Sequence, residues 1–303
     1  MKPSKRFQKL AAAVLAISCA ALTPLSGCSS APGAQSTVPQ VASTASAGAA
    51  GSSSGDKKVL KVAMECVSVP FNWTQMDDSN GALPIKGSST FCNGYEVQIL
   101  KKVADDLGYS LEIDKTEWSA IPPAVQSGKV DAGMSGMTVT EERKKTLLFT
   151  DPYYIADNVA LVKADGKYAD AKSLADLAGA ECTSQQSTSW YTFLSQIPNG
   201  KVQPALPDVP TMLVALTSGK CDMLSCDTPT ALSSMRTNPG LKMIKFEEGK
   251  GFKAEAELTH VCMALKLGNT DLKEKIDGAL KKISEDERQK LMDWAVENEP
   301  TAS

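Results

Sequence analysis

From Asp56 onward, short β-branched and aliphatic runs alternate with stretches whose apolar positions recur every three or four residues. That alternation of period-2 and period-3.6 patterns predicts strands interleaved with helices, an α/β architecture. Val59–Met64 reads as a strand. Across Tyr95–Leu107 the side chains of Ile99, Leu100, Val103 and Leu107 share one helical face, and Gly108 offers a left-handed C-cap. Residues 111–113 predict a second short strand. Ala124-Val125-Gln126-Ser127-Gly128-Lys129-Val130-Asp131-Ala132 then reads as helix, glycine cap and new strand. The phrase returns later as Ala215-Leu216-Thr217-Ser218-Gly219-Lys220-Cys221-Asp222-Met223. A repeated Ser-Gly-Lys-x-Asp between a helix end and a strand start predicts two lobes on one plan. The strand Asn158–Lys163 follows the first copy, and residues 241–246 with the apolar run 260–267 follow the second; these are the expected crossovers. Residues 272–296 are helical in pattern. The first lobe is therefore expected from both ends of the chain, at 57–161 and 262–300, with the second lobe at 162–261. Two lobes joined by two strands can close about a hinge with a ligand at the seam.

The N-terminal pattern is different. Lys2, Lys5, Arg6 and Lys9 precede an apolar run over residues 10–22, which is shorter than the roughly 20 residues a membrane span needs. This is the layout of a signal peptide, expected at 1–27. Leu25-Ser26-Gly27-Cys28 resembles a bacterial lipobox, which implies cleavage before Cys28 and lipidation of its thiol. Each buried acyl CH₂ contributes about 0.8 kcal/mol, so two or three chains anchor stably. Residues 28–56 are nearly all small and polar, with no charge before Asp56. Such a segment cannot bury enough apolar area to order itself and is expected to act as a flexible linker. The chain is thus expected to be exported and lipid-anchored on the outer face of the bacterial cell membrane.

Composition narrows the chemistry. A hydrophobic fraction of 42% and a charged fraction of 22% are those of a globular protein. The net charge of −3 becomes more negative if the basic leader is removed, which offers nothing to nucleic-acid phosphates. His260 is the only histidine, leaving little for a zinc site or a Ser–His–Asp triad. No cysteine spacing follows a zinc-finger pattern, and no cofactor is implied. Beyond Cys19 and Cys28 the cysteines are 66, 92, 182, 221, 226 and 262. An even number in an exported chain favours disulfides, with about 15 possible pairings; Cys66 and Cys92 could pin the loop over residues 72–91.

Ser135-Gly136-Met137-Thr138-Val139-Thr140-Glu141-Glu142-Arg143, followed by Phe149-Thr150-Asp151-Pro152-Tyr153-Tyr154, closely resembles family 3 solute-binding proteins. The likeness covers residues 60–292. That family comprises extracytoplasmic receptors of ABC importers for polar amino acids. The resemblance implies the type II periplasmic-binding-protein fold and a free L-amino acid held at both its carboxylate and its ammonium. It assigns the carboxylate to Arg143, Ser135, Gly136 and Thr138. Chemically this suits them, since a guanidinium engages a carboxylate bidentately and stays ionised, and a helix N-terminus after the turn would favour an anion. From the second lobe it adds Gln185, Ser187, Thr188 and Ser189; the family often has glycine where this chain has Ser187. Asp227 matches the acidic partner of the ligand ammonium. Trp118 matches a wall over the ligand's aliphatic part, and Glu65 and Ser68 match the first strand-end loop. Ser68 stands where the family commonly places an aromatic ring, and Phe71 or Trp73 could substitute for it.

The family topology also implies neighbouring strands headed by Cys182 and Cys221, and hence a bridge between them. Elimination leaves Cys226 and Cys262. Permease subunits are the expected partners, and the receptor is expected to be monomeric. A small-carboxylate dehydratase on the same fold, or a domain that senses without transport, are the alternative readings.

Overall fold

Sheets built from apolar strands have two faces to cover, and in this chain helices cover both. The computed structural model describes residues 57–300; the expected signal peptide, Cys28 and the whole linker lie outside the described residues. The chain opens with β1 (Val59–Met64) and enters a small antiparallel clip of β2 (Val67–Ser68), β3 (Asn72–Gln75), β4 (Leu83–Pro84) and β5 (Phe91–Asn93). Helix α1 (Tyr95–Leu107) ends at Gly108 with φ 67°, a left-handed conformation that glycine adopts without penalty. Then come β6 (Ser110–Lys115), α2 (Ile121–Ser127), β7 (Ala132–Gly133), the single turn α3 (Glu141–Lys144) and β8 (Leu147–Phe149). The first sheet has the order β6-β1-β7-β16-β8, where β16 (Ala264–Lys266) returns antiparallel between β7 and β8.

The chain leaves this lobe through β9 (Tyr154–Ile155) and comes back through β15 (His260–Val261), paired antiparallel as His260↔Ile155 and Val261↔Tyr154. Between them lie β10 (Asn158–Lys163), β11 (Glu181–Thr183), α4 (Ser189–Phe193), β12 (Lys201–Val202), α5 (Val209–Thr217), β13 (Met223–Asp227), α6 (Thr228–Thr237) and β14 (Leu241–Ile244). Their sheet runs β12-β11-β13-β10-β14. The crossover is therefore the β9–β15 ribbon. Asn158–Lys163, placed at a lobe border by its sequence position, is instead an inner strand of the second sheet, flanked antiparallel by β13 and β14. Its central residues Ala160, Leu161 and Val162 are buried on both faces, which a hinge strand would not be.

The repeated phrase is structural. Gly128 and Gly219 both take left-handed φ values, 77° and 76°, behind α2 and α5, and the next strand enters the middle of each sheet. Each lobe holds two apolar clusters, one on either face of its sheet. The helical C-terminal pattern divides into α7 (Thr270–Leu280) and α8 (Glu285–Asn298), because Ser284 caps the second helix through the Glu287 N–H. Beyond α8, buried Glu299 accepts from Ser233 Oγ, and Arg236 donates to Glu297 O at 2.7 Å. The end of the chain thus grips α6 of the second lobe.

The expected disulfides are not formed: Cys66, Cys92, Cys182, Cys221, Cys226 and Cys262 are all buried free thiols. The neighbourhoods differ. Cys66 and Cys92 share one cluster and lie within hydrogen-bonding reach of each other. Cys182 is in register with Met223, two residues beyond Cys221. Cys226 and Cys262 sit in the cores of opposite lobes.

Candidate functional site

The two lobes meet over a seam whose walls come from turns at strand ends. In the first lobe β7 is followed by Ser135-Gly136-Met137-Thr138. Met137 is driven into the core while Ser135 and Thr138 turn to the seam, both lining the cavity there. Gly136 has φ 64°, so the turn places consecutive side chains on opposite sides. Thr140 caps α3 by accepting from the Arg143 N–H at 3.1 Å, and the cap aims Arg143 back along the turn. Its Nη1 donates to Thr138 O at 2.5 Å, its Nη2 donates to Ser187 O of the second lobe at 2.7 Å, and its guanidinium lies 5.2 Å from the Trp118 ring centre. Burial lowers its pKa to about 10, so it remains a cation at physiological pH. Because α3 is only four residues long, its dipole is small, and the positive charge at this turn is that of the guanidinium.

The second lobe answers with Gln185-Gln186-Ser187-Thr188-Ser189 after β11. Ser187 has φ 58°, a left-handed conformation that costs an L-residue about 1–2 kcal/mol. That explains why glycine would serve here. The conformation points the Ser187 carbonyl at Arg143. Thr188 caps α4 through the Tyr191 N–H at 3.3 Å. Ser189 Oγ meets Thr138 Oγ1 at 3.1 Å across the seam, and Gln185 Nε2 donates to Glu65 Oε1 at 3.1 Å. The lobes are therefore closed on each other, with these polar groups bonded mutually.

The central cavity is lined from the first lobe by Ser68, Phe71, Trp118, Ser135, Gly136, Thr138 and Arg143, and from the second by Gln185, Thr188, Ser189, Trp190 and Thr230. It has about 10 Å³ of free volume, room for one water. Two larger chambers flank it. One, about 300 Å³, is bordered by Glu65, Lys115, Glu117 and Asp208; the other, about 440 Å³, is bordered by Pro122, Thr140, Arg143, Ser187 and Thr192. Trp118 lines all three.

Three expected residues stand back from the central cavity. Glu65 lines the 300 Å³ chamber, and Ser187 lines the 440 Å³ chamber. Burial pushes the Glu65 carboxyl above its usual range, opposed by hydrogen bonds from Ser68 and Gln185. Asp227 borders none of the three directly; its Oδ1 caps α6 by accepting from Thr230 N at 2.9 Å, and Thr230 is the residue of that turn on the cavity wall. Burial raises the Asp227 pKa to about 6. Of the two rings weighed as a substitute wall, Phe71 lines the cavity, whereas Trp73 stacks on Trp294 with centroids 6.2 Å apart. Thr230 and Trp190 were not anticipated. The Asp-x-x-Thr spacing of a helix cap was a signal for the first; nothing in the local pattern set Trp190 apart from a core residue. Among the described residues no cluster of His, Cys, Asp and Glu could hold a metal, and no helix is long and apolar enough to cross a membrane.

A pair of α/β lobes hinged by two strands, with a cation and hydroxyls at the seam, defines a bilobal ligand-binding protein. The chain belongs to the bacterial extracellular solute-binding proteins, family 3, whose pattern it matches over residues 60–294. It is 27% identical over 232 residues to the L-cystine-binding protein TcyJ of Escherichia coli K12, covering 76% of this chain and 79% of that one. It is 25% identical over 229 residues to a probable histidine-binding protein of Neisseria gonorrhoeae, covering 75% and 79%. Among solved structures, an amino acid ABC transporter substrate-binding protein of Streptococcus pneumoniae bound to L-arginine superposes with a TM-score of 0.69 at 26% identity, over 79% of this chain and 94% of that one. An ancestral arginine-binding protein bound to glutamine gives 0.64 at 29% identity, over 78% and 97%. These relatives are binding proteins rather than enzymes.

Proposed function

We propose that this chain is the extracytoplasmic receptor of an ABC importer for a free, polar amino acid, held at the outer face of the cell membrane by lipid on Cys28. The observation that carries the reading is the Arg143 guanidinium spanning the seam to Ser187 while lining the central cavity. In this reading a ligand carboxylate takes over the donors that the lobes now spend on each other: Arg143 releases Ser187 O, and Thr138 and Ser189 release one another. The ammonium goes to Asp227, whose carboxylate gains a counter-ion in place of its uncompensated burial. The carbon skeleton lies between Trp118 and Phe71, and the side chain extends into a flanking chamber. Each charge-assisted bond contributes about 1.5–3 kcal/mol, and contacts made by both lobes at once favour the closed state.

The names of the relatives support the ligand class. Arginine, glutamine, cystine and histidine share the zwitterionic head and a polar side chain. In the oxidising space outside the membrane, the contact between Cys66 and Cys92 supports oxidation of that pair, whereas Cys182 and Cys221 belong to different apolar clusters of the second lobe. Thermal-shift screening of the twenty L-amino acids, followed by calorimetry, tests the assignment. A ligand at 100 times its Kd stabilises by about 2.7 kcal/mol, or about 5–10 °C for a domain of this size. If none of the twenty raises Tm, the assignment fails.

A further inference from the structure

Glu96 lies in the first turn of α1, where an acidic residue ordinarily faces solvent and complements the helix dipole. Here it is fully buried, at 0% exposure. Three donors from separate parts of the first lobe converge on its carboxylate. Asn72 Nδ2 donates to Oε2 at 2.6 Å, the Gly136 N–H donates to Oε1 at 2.6 Å, and the Tyr153 hydroxyl donates to the same Oε1. Asn72 stands at the start of β3 in the clip, Gly136 in the turn that carries Ser135 and Thr138, and Tyr153 immediately before β9 of the crossover. Asn72 also donates to Ser135 Oγ at 3.1 Å, while its own Oδ1 is buried without a partner. The amide is thus oriented to serve acceptors at the expense of its carbonyl.

A carboxylate anion satisfies all three donors as they stand. A carboxylate anion offers two oxygens and no hydrogen. A glutamine or a protonated carboxyl would put a donor opposite Asn72 Nδ2, so that amide would have to turn over and give up its bond to Ser135 Oγ. A buried anion is costly in itself, and a neutral isostere would avoid that cost.

We infer that Glu96 is a positioning residue of the binding site: as the anion it fixes the turn over residues 135–138 and joins it to the crossover, so ligand affinity falls as Glu96 takes up a proton. This rests on the reading that this turn contacts the ligand. The titratable groups facing Glu96 are Tyr153 before β9, Asp227 on β13 of the second lobe, Cys92 on β5 and Tyr95 on its own helix. Burial, which outweighs its hydrogen bonds, lifts its pKa to about 7. At pH 6 about one molecule in ten then has the anion, and apparent affinity drops about tenfold relative to pH 8.

The test follows the midpoint of the thermal shift produced by a mixture of the twenty L-amino acids, between pH 8 and pH 6. Wild type is expected to need about ten times more of the mixture at pH 6, beyond a shallow decline that Asp227 adds in every variant. Glu96→Gln is expected to bind at pH 8 as wild type does at pH 6 and to lack the inflection near 7. Tyr153→Phe removes one donor to the anion and is expected to move the inflection to higher pH. Hydrogen exchange of residues 135–138 without ligand reads the same event directly: protection should fall as pH drops through 7 in wild type only. Wild-type affinity or a wild-type pH profile in E96Q overturns the inference, as does an unmoved inflection in Y153F. If the mixture shifts nothing in wild type, the receptor reading fails, and the exchange measurement still decides the role of Glu96.

Discussion

Replacing Asp227 with Asn separates what this residue does for the fold from what it does for a ligand. Its carboxylate is buried, caps α6 through Thr230 N and has a pKa raised by burial from 3.8 to about 6. The folded protein therefore holds a proton on Asp227 at pH values where the unfolded chain has lost it. Stability from this group is fully present below about pH 4 and declines as pH rises toward 6; above that the full penalty stands. About two pKa units correspond to about 3 kcal/mol. Asn caps a helix as well as Asp does, fills nearly the same volume and has no charge to desolvate. D227N should therefore be more stable than wild type at pH 8 by up to about 3 kcal/mol, raising Tm by about 6–12 °C. The advantage should shrink to nothing near pH 4. Urea unfolding at pH 8, 6 and 4 measures this, with calorimetry for the binding that D227N is expected to lose. A variant that is equally or less stable at pH 8, or an advantage that persists unchanged at pH 4, would refute the reasoning.

Arg143→Ala removes the cation at the seam together with its bond to Ser187 O, and ligand affinity should drop by about 3–5 kcal/mol, read by calorimetry; near-normal affinity would remove Arg143 from the site. For the cysteines, protein prepared without reductant should resist alkylation at Cys66 and Cys92 after denaturation and gain two labels there once reduced. Full labelling without reductant, seen by peptide mass, would show that the contact between these thiols leaves them unoxidised.

Much of the frame was legible because it is local. The apolar face and Gly108 stop of α1, and the Ser-Gly-Lys-x-Asp phrase at both lobes, depend on side-chain period and on glycine's access to left-handed φ. The return crossover falls in the apolar run 260–267 as read, but the outgoing one is not Asn158–Lys163: β10 and a hinge strand carry the same apolar signal, and only pairing to β13 and β14, which is not local, separates them. The break between α7 and α8 was overlooked although Ser284 and Glu287 carry a capping signal. At the seam, Arg143 and Thr138 follow from the motif over residues 135–143, and Ser189 from the family likeness of residues 185–189. Glu96 does not, since an acidic first-turn residue reads as a surface group, and its burial arises from Asn72, Gly136 and Tyr153 meeting across the fold.

The position of β16 has a consequence for how the chain acquires its shape. β7 and β8 are not neighbours; the slot between them is filled by residues 264–266, after the whole second lobe has been made. An exported chain emerges N-terminus first, so the second lobe has all its strands while the first still has a gap in its sheet. Phe149 and Gly133 gain their common partner Ala264 only after strands β10 to β14 have emerged. Pairing over such sequence separation is slow to form. Completion of the first sheet is thus timed by a segment that emerges only after the whole second lobe.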